Sequence, residues 1–587
     1  MIPVRAYSRL LYRYLRTQRR RVALLVAALL GSIALDLINP QLIRAFLDGI
    51  TGDAPQSRLL TIAAWFMGLA LFQQICTVSA AYFAEQVGWT ATNQMREDLT
   101  RHVLDLDMGF HKRHTPGELI ERVDGDVTSL GNFFSSFTIK VLGNAVLILG
   151  VLVLLWTENV WVGFGMTSFV AIALWGMIRI QASSVPIWKQ VRARAGELYG
   201  FLGEQLEGTE DIRANGGVPY MVRRFTGIMR AWLPERVRGF VRFGALWSTS
   251  IGAYVIGTSM VFWLGSIFFG NGTITIGSVY LIFYYTEMIR HPMEEIRSQM
   301  EDFQKAAAGI SRVESMFGIE SAIDKEGAVH LPDGPLSVDF KAVRFAYDSA
   351  EDPDDHTDIV IDDVTFGIAP GRVLGVLGRS GSGKTTMARL LTRLYDPQDG
   401  EVLIGGVRTA DAVITELRGR VGMVTQDVQL FQASIRDNLT FFDQEIDDDR
   451  LMEVLDHLGL RDWVEALPDG LDTSLQAGGG GLSAGQAQLL AFTRIFLRDP
   501  GLVVLDEASS RLDPATEALI ERAVDRLLAG RTAVIIAHRL GTVTRADDIL
   551  ILEDGQVVEF GRRVELASDP ESRLAQLLRT GMEEVLA

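Results

Sequence analysis

Apolar residues fall in long charge-free blocks in the first half of the chain and in short alternating runs in the second. Residues 59–84 contain no Asp, Glu, Lys, Arg or His, residues 141–157 and 159–178 are separated only by Glu158, and residues 243–286 are again free of charge. An earlier block, 22 to about 47, is interrupted by Asp36, Pro40 and Arg44. Crossing a bilayer core takes about 20 apolar residues per helix. The blocks therefore predict six membrane spans, with Gly270-Asn271-Gly272-Thr273 as the turn that divides the longest one. Beyond residue 335 the period changes. Val338-Asp339-Phe340, Val343-Arg344-Phe345, Ile359-Val360-Ile361 and the run 373–377 read as short strands, followed by strand–loop–helix units that imply an α/β domain.

Basic residues orient the spans. Arg5, Arg9, Arg13, Arg16, Arg19, Arg20 and Arg21 precede the first one, which places the N-terminus on the cytoplasmic side. The short links at 48–58, Glu158 and Asn271 are poor in Lys and Arg and read as external. The long connections, about 85–140 and 179–242, are rich in arginine and read as internal. Mixed charge and spaced apolar residues make both connections helical, so the membrane helices are expected to run well beyond the bilayer. Thr115-Pro116-Gly117 and Asn215-Gly216-Gly217 supply turns at their tips. A polar helix, about 291–317, leads into a Gly/Pro-rich stretch, giving a membrane domain over 1–320, a linker over 321–335 and an α/β domain over 336–587.

A net charge of −17 over 587 residues sits beside a positive mean hydropathy, as expected for an apolar domain joined to an acidic soluble one. The acidic balance and the spans argue against a nucleic-acid-binding protein. The lone Cys76 lies within a span, excluding an intrachain disulfide and a cysteine metal site. The first apolar block is too long for a cleavable signal peptide.

The most specific chemistry is Gly378-Arg379-Ser380-Gly381-Ser382-Gly383-Lys384-Thr385-Thr386, set between a strand-like run and a helix start. Its glycines let backbone N–H groups turn toward phosphates at a helix N-terminus. Lys384 then reaches the β- and γ-phosphates, and Thr385 places its hydroxyl on Mg²⁺. Downstream, Leu502-Val503-Val504-Leu505-Asp506-Glu507 ends an apolar strand in two carboxylates, suited to a Mg²⁺ site and to a general base. Val534-Ile535-Ile536-Ala537-His538 ends another strand in a histidine able to donate to phosphate charge. Between them, Leu482-Ser483-Ala484-Gly485-Gln486 opens a helix, with Ser483 as its N-cap and a second anion site.

This ordered set resembles the ATP-binding cassette (ABC) half-transporters of the exporter type over nearly the whole chain. The implied fold class is an α-helical membrane domain of six transmembrane helices followed by an α/β P-loop ATPase domain. The resemblance implies that ATP and Mg²⁺ bind and that ATP hydrolysis drives transport. It assigns Tyr347 to adenine stacking, 378–386 to the phosphate loop, and Gln426 to sensing Mg²⁺ and the membrane domain. The segment 482–486, with Ser483, Gly485 and Gln486, becomes the signature that faces a second subunit's nucleotide. Asp506 becomes the Mg²⁺-site aspartate, Glu507 the catalytic base, Asp513 part of the dimer-contacting loop and His538 the switch histidine. The segment Thr115-Pro116-Gly117-Glu118-Leu119 looks like the family's first intracellular loop.

Three positions depart from the family pattern. Ala484 stands where the signature has a second glycine, Ala477 where exporters often carry Glu, and Arg511 where a small residue precedes Asp513. A methyl at 484 obstructs close backbone approach to phosphate, so pairing with a different half-transporter is slightly favoured over a homodimer. The expected cargo is a small, amphipathic or lipid-like molecule, suggested by Trp65, Trp175, Trp247 and Trp263, although interfacial belts also use tryptophan. Asp36, deep in a span, is a candidate functional charge, whereas Glu287 and Arg290 mark a span end. Import, or nucleotide-gated regulation without pumping, are the alternative readings. The location expected is the plasma or inner membrane, with both termini cytoplasmic.

Overall fold

The computed structural model describes residues 12–347, 359–425, 428–476, 481–506, 514–537 and 543–580. These fall into two compact units, Met1–Leu104 with Pro116–Ile319, and Asp105–Thr115 with Glu320–Ala587.

The first unit is helical. Its long helices are α1 (Arg19–Thr51), α2 (Gln56–Asp105), α4 (Asn144–Glu158), α5 (Val160–Glu207), α6 (Val218–Gly270) and α7 (Ile276–Phe317), while the short helix α3 (Met108–Arg113) belongs to the second unit. Among the described residues, five helices are long and apolar enough to cross a membrane: Tyr12–Thr51, Gln56–Asp105, Ile139–Glu158, Val160–Glu207 and Val218–Gly270. The sixth, α7, is apolar only in its first turns and then turns polar from Glu287 onward, merging the last expected span with the polar helix that follows it. At 1.5 Å per residue, the 50 residues of α2, 48 of α5 and 53 of α6 each extend about 70–80 Å, more than twice a bilayer core.

Local chemistry sets the ends of these helices. Asn159 caps α5, its side chain accepting from Trp161 N at 2.9 Å, and leaves only a one-residue break after α4. Thr275 caps α7 by accepting from Ser278 N at 3.1 Å. At the same end of the bundle, Asp48 Oδ1 accepts from Gly277 N at 3.0 Å and its Oδ2 from Thr275 Oγ1 at 2.9 Å. Arg44 is paired with Glu158 beside them. Gly277 permits this approach, because a Cβ there would stand 2.6 Å from Asp48 Oδ1 and 2.7 Å from the Arg44 carbonyl. Pro40 inside α1 cannot donate to the preceding turn. Tyr285 of α7 braces that place, its hydroxyl donating to the Leu37 carbonyl at 2.8 Å and accepting from Gln41 Nε2 at 3.1 Å.

The second unit holds two sheets. The smaller has the order β2 (Ile359–Ile368), β1 (Val338–Ala346), β4 (Asp399–Ile404), β5 (Val407–Arg408), all antiparallel. The two runs expected before residue 346 are a single strand, β1, bulged between Phe340 and Val343 where Ala342 has a φ of 48°. The larger sheet runs β10 (Gln556–Arg562), β9 (Asp548–Glu553), β3 (Val373–Leu377), β8 (Thr532–Ile536), β7 (Leu502–Asp506), β6 (Val421–Val424). Its pairs from β9 to β6 are parallel and β10 is the antiparallel edge. Every residue of β3, β7 and β8 is buried, the continuous apolar pattern of strands covered on both faces.

Candidate functional site

The register of the parallel strands brings the site together. Val376 of β3 lies opposite Ile536 of β8, and Ile536 lies opposite Asp506 of β7. The carboxyl ends of three neighbouring strands are therefore level, the edge at which open α/β sheets bind ligands.

From β3 the chain enters the glycine-rich loop and then helix α8 (Lys384–Leu391). Gly378, Gly381 and Gly383 have φ of 152°, 84° and 100°, values that L-residues with a Cβ rarely adopt. Lys384 is buried, and its Nζ donates to the carbonyls of Gly378 and Arg379, each at 2.7 Å. Burial pushes this ammonium below the ordinary lysine value, against an upward pull from Asp506. The Ser382 hydroxyl is buried without a hydrogen-bond partner. A buried lysine satisfied only by loop carbonyls and an orphaned hydroxyl beside it fit a loop shaped for phosphate oxygens.

Thr385 Oγ1 donates to Asp506 Oδ2 at 3.1 Å, placing two hard oxygen ligands side by side as a Mg²⁺ site requires. Thr386, next along, is bonded to the Tyr347 hydroxyl at 3.0 Å, and Arg389 Nη1 donates to the same hydroxyl at 2.9 Å. The Tyr347 side chain thus lies against the helix that follows the loop. Two contacts there were not legible from the sequence. Arg389, five residues past Lys384, fixes the phenol, and Lys112 Nζ of α3 stands 4.2 Å from the Tyr347 ring centroid.

The segment Asp105–Thr115 packs within this unit around a cavity of about 410 Å³, whose lining includes Asp107, Lys112, Ala322, Tyr347, Tyr395 and Gln398. Asp107 caps α3 by accepting from Phe110 N at 2.9 Å and also accepts from Ala322 N at 2.9 Å. Burial pushes its carboxyl up, but these backbone N–H groups outweigh that and hold it below the usual carboxylate range. Lys325 Nζ adds bonds to the carbonyl and carboxylate of Asp105 at 3.0 and 3.1 Å.

Ser483 begins helix α9 (Ala484–Arg498) through a capping box: its Oγ accepts from Gln486 N at 3.2 Å, and Gln486 Oε1 accepts from Ser483 N at 2.9 Å. The hydroxyl is thus engaged as the N-cap acceptor, which still leaves its proton to donate. Gly485 is buried, whereas Ser483 and Ala484 are exposed. Gln426, Glu507, Asp513 and His538 lie outside the described residues, as do Ala477 and Arg511. Sequence reasoning also missed Arg494 of α9, which donates to the Asn438 and Gln429 carbonyls at 2.7 and 3.0 Å. Burial, with Arg498 nearby, pushes its guanidinium down to about 10.

Comparison with known proteins decides the family. Residues 361–510 match the family model described as ABC transporter, and residues 22–293 match the model of the ABC transporter transmembrane region. The chain belongs to the ABC transporters. It is similar to the ATP-dependent lipid A-core flippase of Burkholderia orbicola (strain AU 1054), with 29% identity over 95% of this chain and 93% of the relative. The "Uncharacterized ABC transporter ATP-binding protein YfiC" of Bacillus subtilis (strain 168) is 27% identical over 95% of this chain and 91% of its own length. Its fold is that of the solved structure "Structure of a bacterial Atm1-family ABC exporter with ATP bound", with a TM-score of 0.78, 23% identity and coverage of 96% and 98% of the two chains. This ABC transporter is thus a multi-pass membrane protein of exporter-type fold. Its cassette binds ATP and couples ATP hydrolysis to transport, and as a half-transporter it works as a dimer.

Proposed function

We propose that the protein exports amphipathic, drug-like or lipid-like compounds by alternating access, with two half-transporters closing on two ATP molecules. The observation that carries this reading is the loop–carboxylate pair, Lys384 and Thr385 against Asp506, together with the five helices of membrane-spanning length among the described residues. Lipid-like cargo is supported by similarity to the relatives named lipid A-core flippases. The division into a membrane domain to residue 320, a linker to 335 and a cassette from 336 belongs to this proposal.

In this reading the loop 378–386 holds the phosphates, with Lys384 exchanging its loop carbonyls for phosphate oxygens, and Tyr347 packs the base. Thr385, Asp506 and Gln426 would hold Mg²⁺, which would supply charge neutralisation to the phosphates. Glu507 accepts the proton of the attacking water, and His538 donates to the phosphate. Ser483, Gly485 and Gln486 face the other subunit's nucleotide, and Asp513 lies at the subunit contact. Closure is transmitted through the internal turns, among them the segment tied to the cassette by Asp107 and Lys325.

A second subunit is supported by the tip of the α5–α6 hairpin, where Leu206, Val218, Tyr220 and Val222 are exposed in a stretch expected outside the bilayer. Ala484 favours a different half-transporter as that subunit. The membrane is the plasma or inner membrane, with both termini cytoplasmic.

The test is transport of a panel of amphipathic dyes and fluorescent lipids in inside-out vesicles carrying the purified dimer. ATP-dependent, vanadate-sensitive accumulation against a gradient is expected. ATP hydrolysis without movement of any panel member would favour a regulator, and uptake in the opposite sense an importer.

A further inference from the structure

The described residues place an anionic side chain within the spans and give it no cation. Asp36 lies midway along α1, and its Oδ1 accepts from Gln73 Nε2 of α2 at 3.0 Å. Gln73 also donates to Thr77 Oγ1 at 3.3 Å, and Thr77 donates to Ser32 Oγ at 3.2 Å, one turn before Asp36. These partners are all neutral. No basic side chain stands close along these helices either: α1 has no Lys or Arg over residues 22–43, α2 none over 59–95 and α7 none over 276–289. A carboxylate at this depth is costly when it faces lipid and persists where a water-filled path or a counter-charge meets it.

The surroundings specify the counter-charge. Asn39, three residues along the same helix, has a buried side-chain oxygen with no hydrogen-bond partner. Tyr284 of α7 is exposed and adjoins Tyr285, whose hydroxyl bonds the carbonyl of Leu37, the residue after Asp36; it also forms a ring pair with Tyr280 at 6.1 Å between centroids. A carboxylate, an unsatisfied oxygen and two aromatic rings lack a positive charge and an apolar body to pack against.

We propose that Asp36, with Gln73 positioning it and the Tyr280–Tyr284 ring pair on the helix packed against α1, is a recognition site for amphipathic organic cations. The proposal rests on the exporter reading above and narrows its cargo by charge. Positively charged amphiphiles bind through Asp36. Anionic molecules of the same shape are repelled, and neutral ones bind without using it.

The test uses the intact transporter, as a purified dimer, in lipid nanodiscs. Binding of labelled tetraphenylphosphonium is measured against tetraphenylborate, an anion of nearly the same shape, for the parent, Asp36→Asn and Asp36→Glu. Saturable tetraphenylphosphonium binding is expected in the parent, weakened about tenfold in Asp36→Asn and largely retained in Asp36→Glu, the loss of one charge contact. Tetraphenylborate binding should not weaken in Asp36→Asn. Equal tetraphenylphosphonium affinity in parent and Asp36→Asn overturns the proposal, as does the absence of saturable binding in the parent. Vanadate-sensitive ATPase, and transport of a fluorescent zwitterionic lipid after the same purified protein is reconstituted into proteoliposomes, separate the two readings. If they persist while cation binding is absent, the charge selectivity alone has failed; if both are missing, the exporter reading has failed.

Discussion

Thr385 Oγ1 reaches Asp506 Oδ2 at 3.1 Å across 121 positions of sequence, joining the first turn of α8 to the end of β7. The bond exists because β3 and β7 flank β8 in register, so that the loop after one strand and the last residue of another meet at one edge. Replacing Asp506 by Asn keeps the shape and removes the charge. ATPase activity of the purified dimer should fall about a hundredfold at limiting Mg²⁺, as expected when charge stabilisation of several kcal/mol is lost. An unchanged Mg²⁺ dependence would remove Asp506 from the metal site.

Lys384 gives the pH dependence a sign. Its ammonium is held below the ordinary lysine value by burial, so in the nucleotide-free protein it loses its proton earlier than a free lysine does as pH rises. Only the protonated form attracts phosphate. ATP affinity should therefore be full at pH 7 and decline on the alkaline side before the ordinary value of about 10.5 is reached. Lys384→Arg should shift that decline to higher pH, and titration with a fluorescent ATP analogue reads both limbs.

Gly383 and Gly381 make a paired test of the loop. Both have left-handed φ, 100° and 84°, but an added Cβ at 383 would stand 2.6 Å from Ile361 Cδ1 and 2.7 Å from the Val360 carbonyl, whereas the space at 381 is open. Gly381→Ala should cost about 1 kcal/mol of cassette stability through its backbone alone. Gly383→Ala should cost more, about 2–3 kcal/mol, and weaken ATP binding with it. Equal thermal shifts for the two variants would contradict the packing described around Gly383.

Glu507 and Ala484 report on stoichiometry. Glu507→Gln should leave ATP binding intact and lower hydrolysis by about 10²–10⁴-fold, the usual contribution of a general base. If the partner is a different half-transporter with glycine at the matching position, Ala484→Gly should act mainly at the composite site that Glu507 does not serve. In a homodimer both sites change alike. Co-expression of differently tagged copies, followed by ATPase assay of the doubly tagged complex, distinguishes the two: an active complex holding both tags and no second polypeptide establishes the homodimer.

Much of this was legible in the chain because two physical periods are so distinct. Charge-free blocks about a bilayer long marked the spans, and the glycine, lysine and threonine spacing of 378–386 marked the phosphate loop together with the helix that follows it. What stayed hidden depended on contacts between distant residues. The bulge at Ala342 joins two apparent strands into β1, and no local pattern announces it. Lys112 over Tyr347 links a turn after α2 to the end of β1, and neither residue's neighbours carry a motif for the other. Ser483 was legible as an N-cap, but the part of Gln486 in completing the capping box was not, because that residue was counted only within the signature. Glu507 and His538, by contrast, are assigned from motif order alone.

The seating of Asp105–Thr115 among cassette residues also sets an order of events during synthesis. Asp107 leaves the ribosome 215 residues ahead of Ala322, whose N–H it accepts. At roughly 5–20 residues per second it waits about 10–40 s for that partner alone, and longer for the strand carrying Tyr347 to fold. Until then Phe110, 1% exposed in the finished protein, keeps only local cover such as its ring contacts with His111 and His114. The nascent membrane half therefore carries an apolar turn that marks it as unfinished, and a chain cut short before the cassette keeps that mark permanently open to chaperones and proteases.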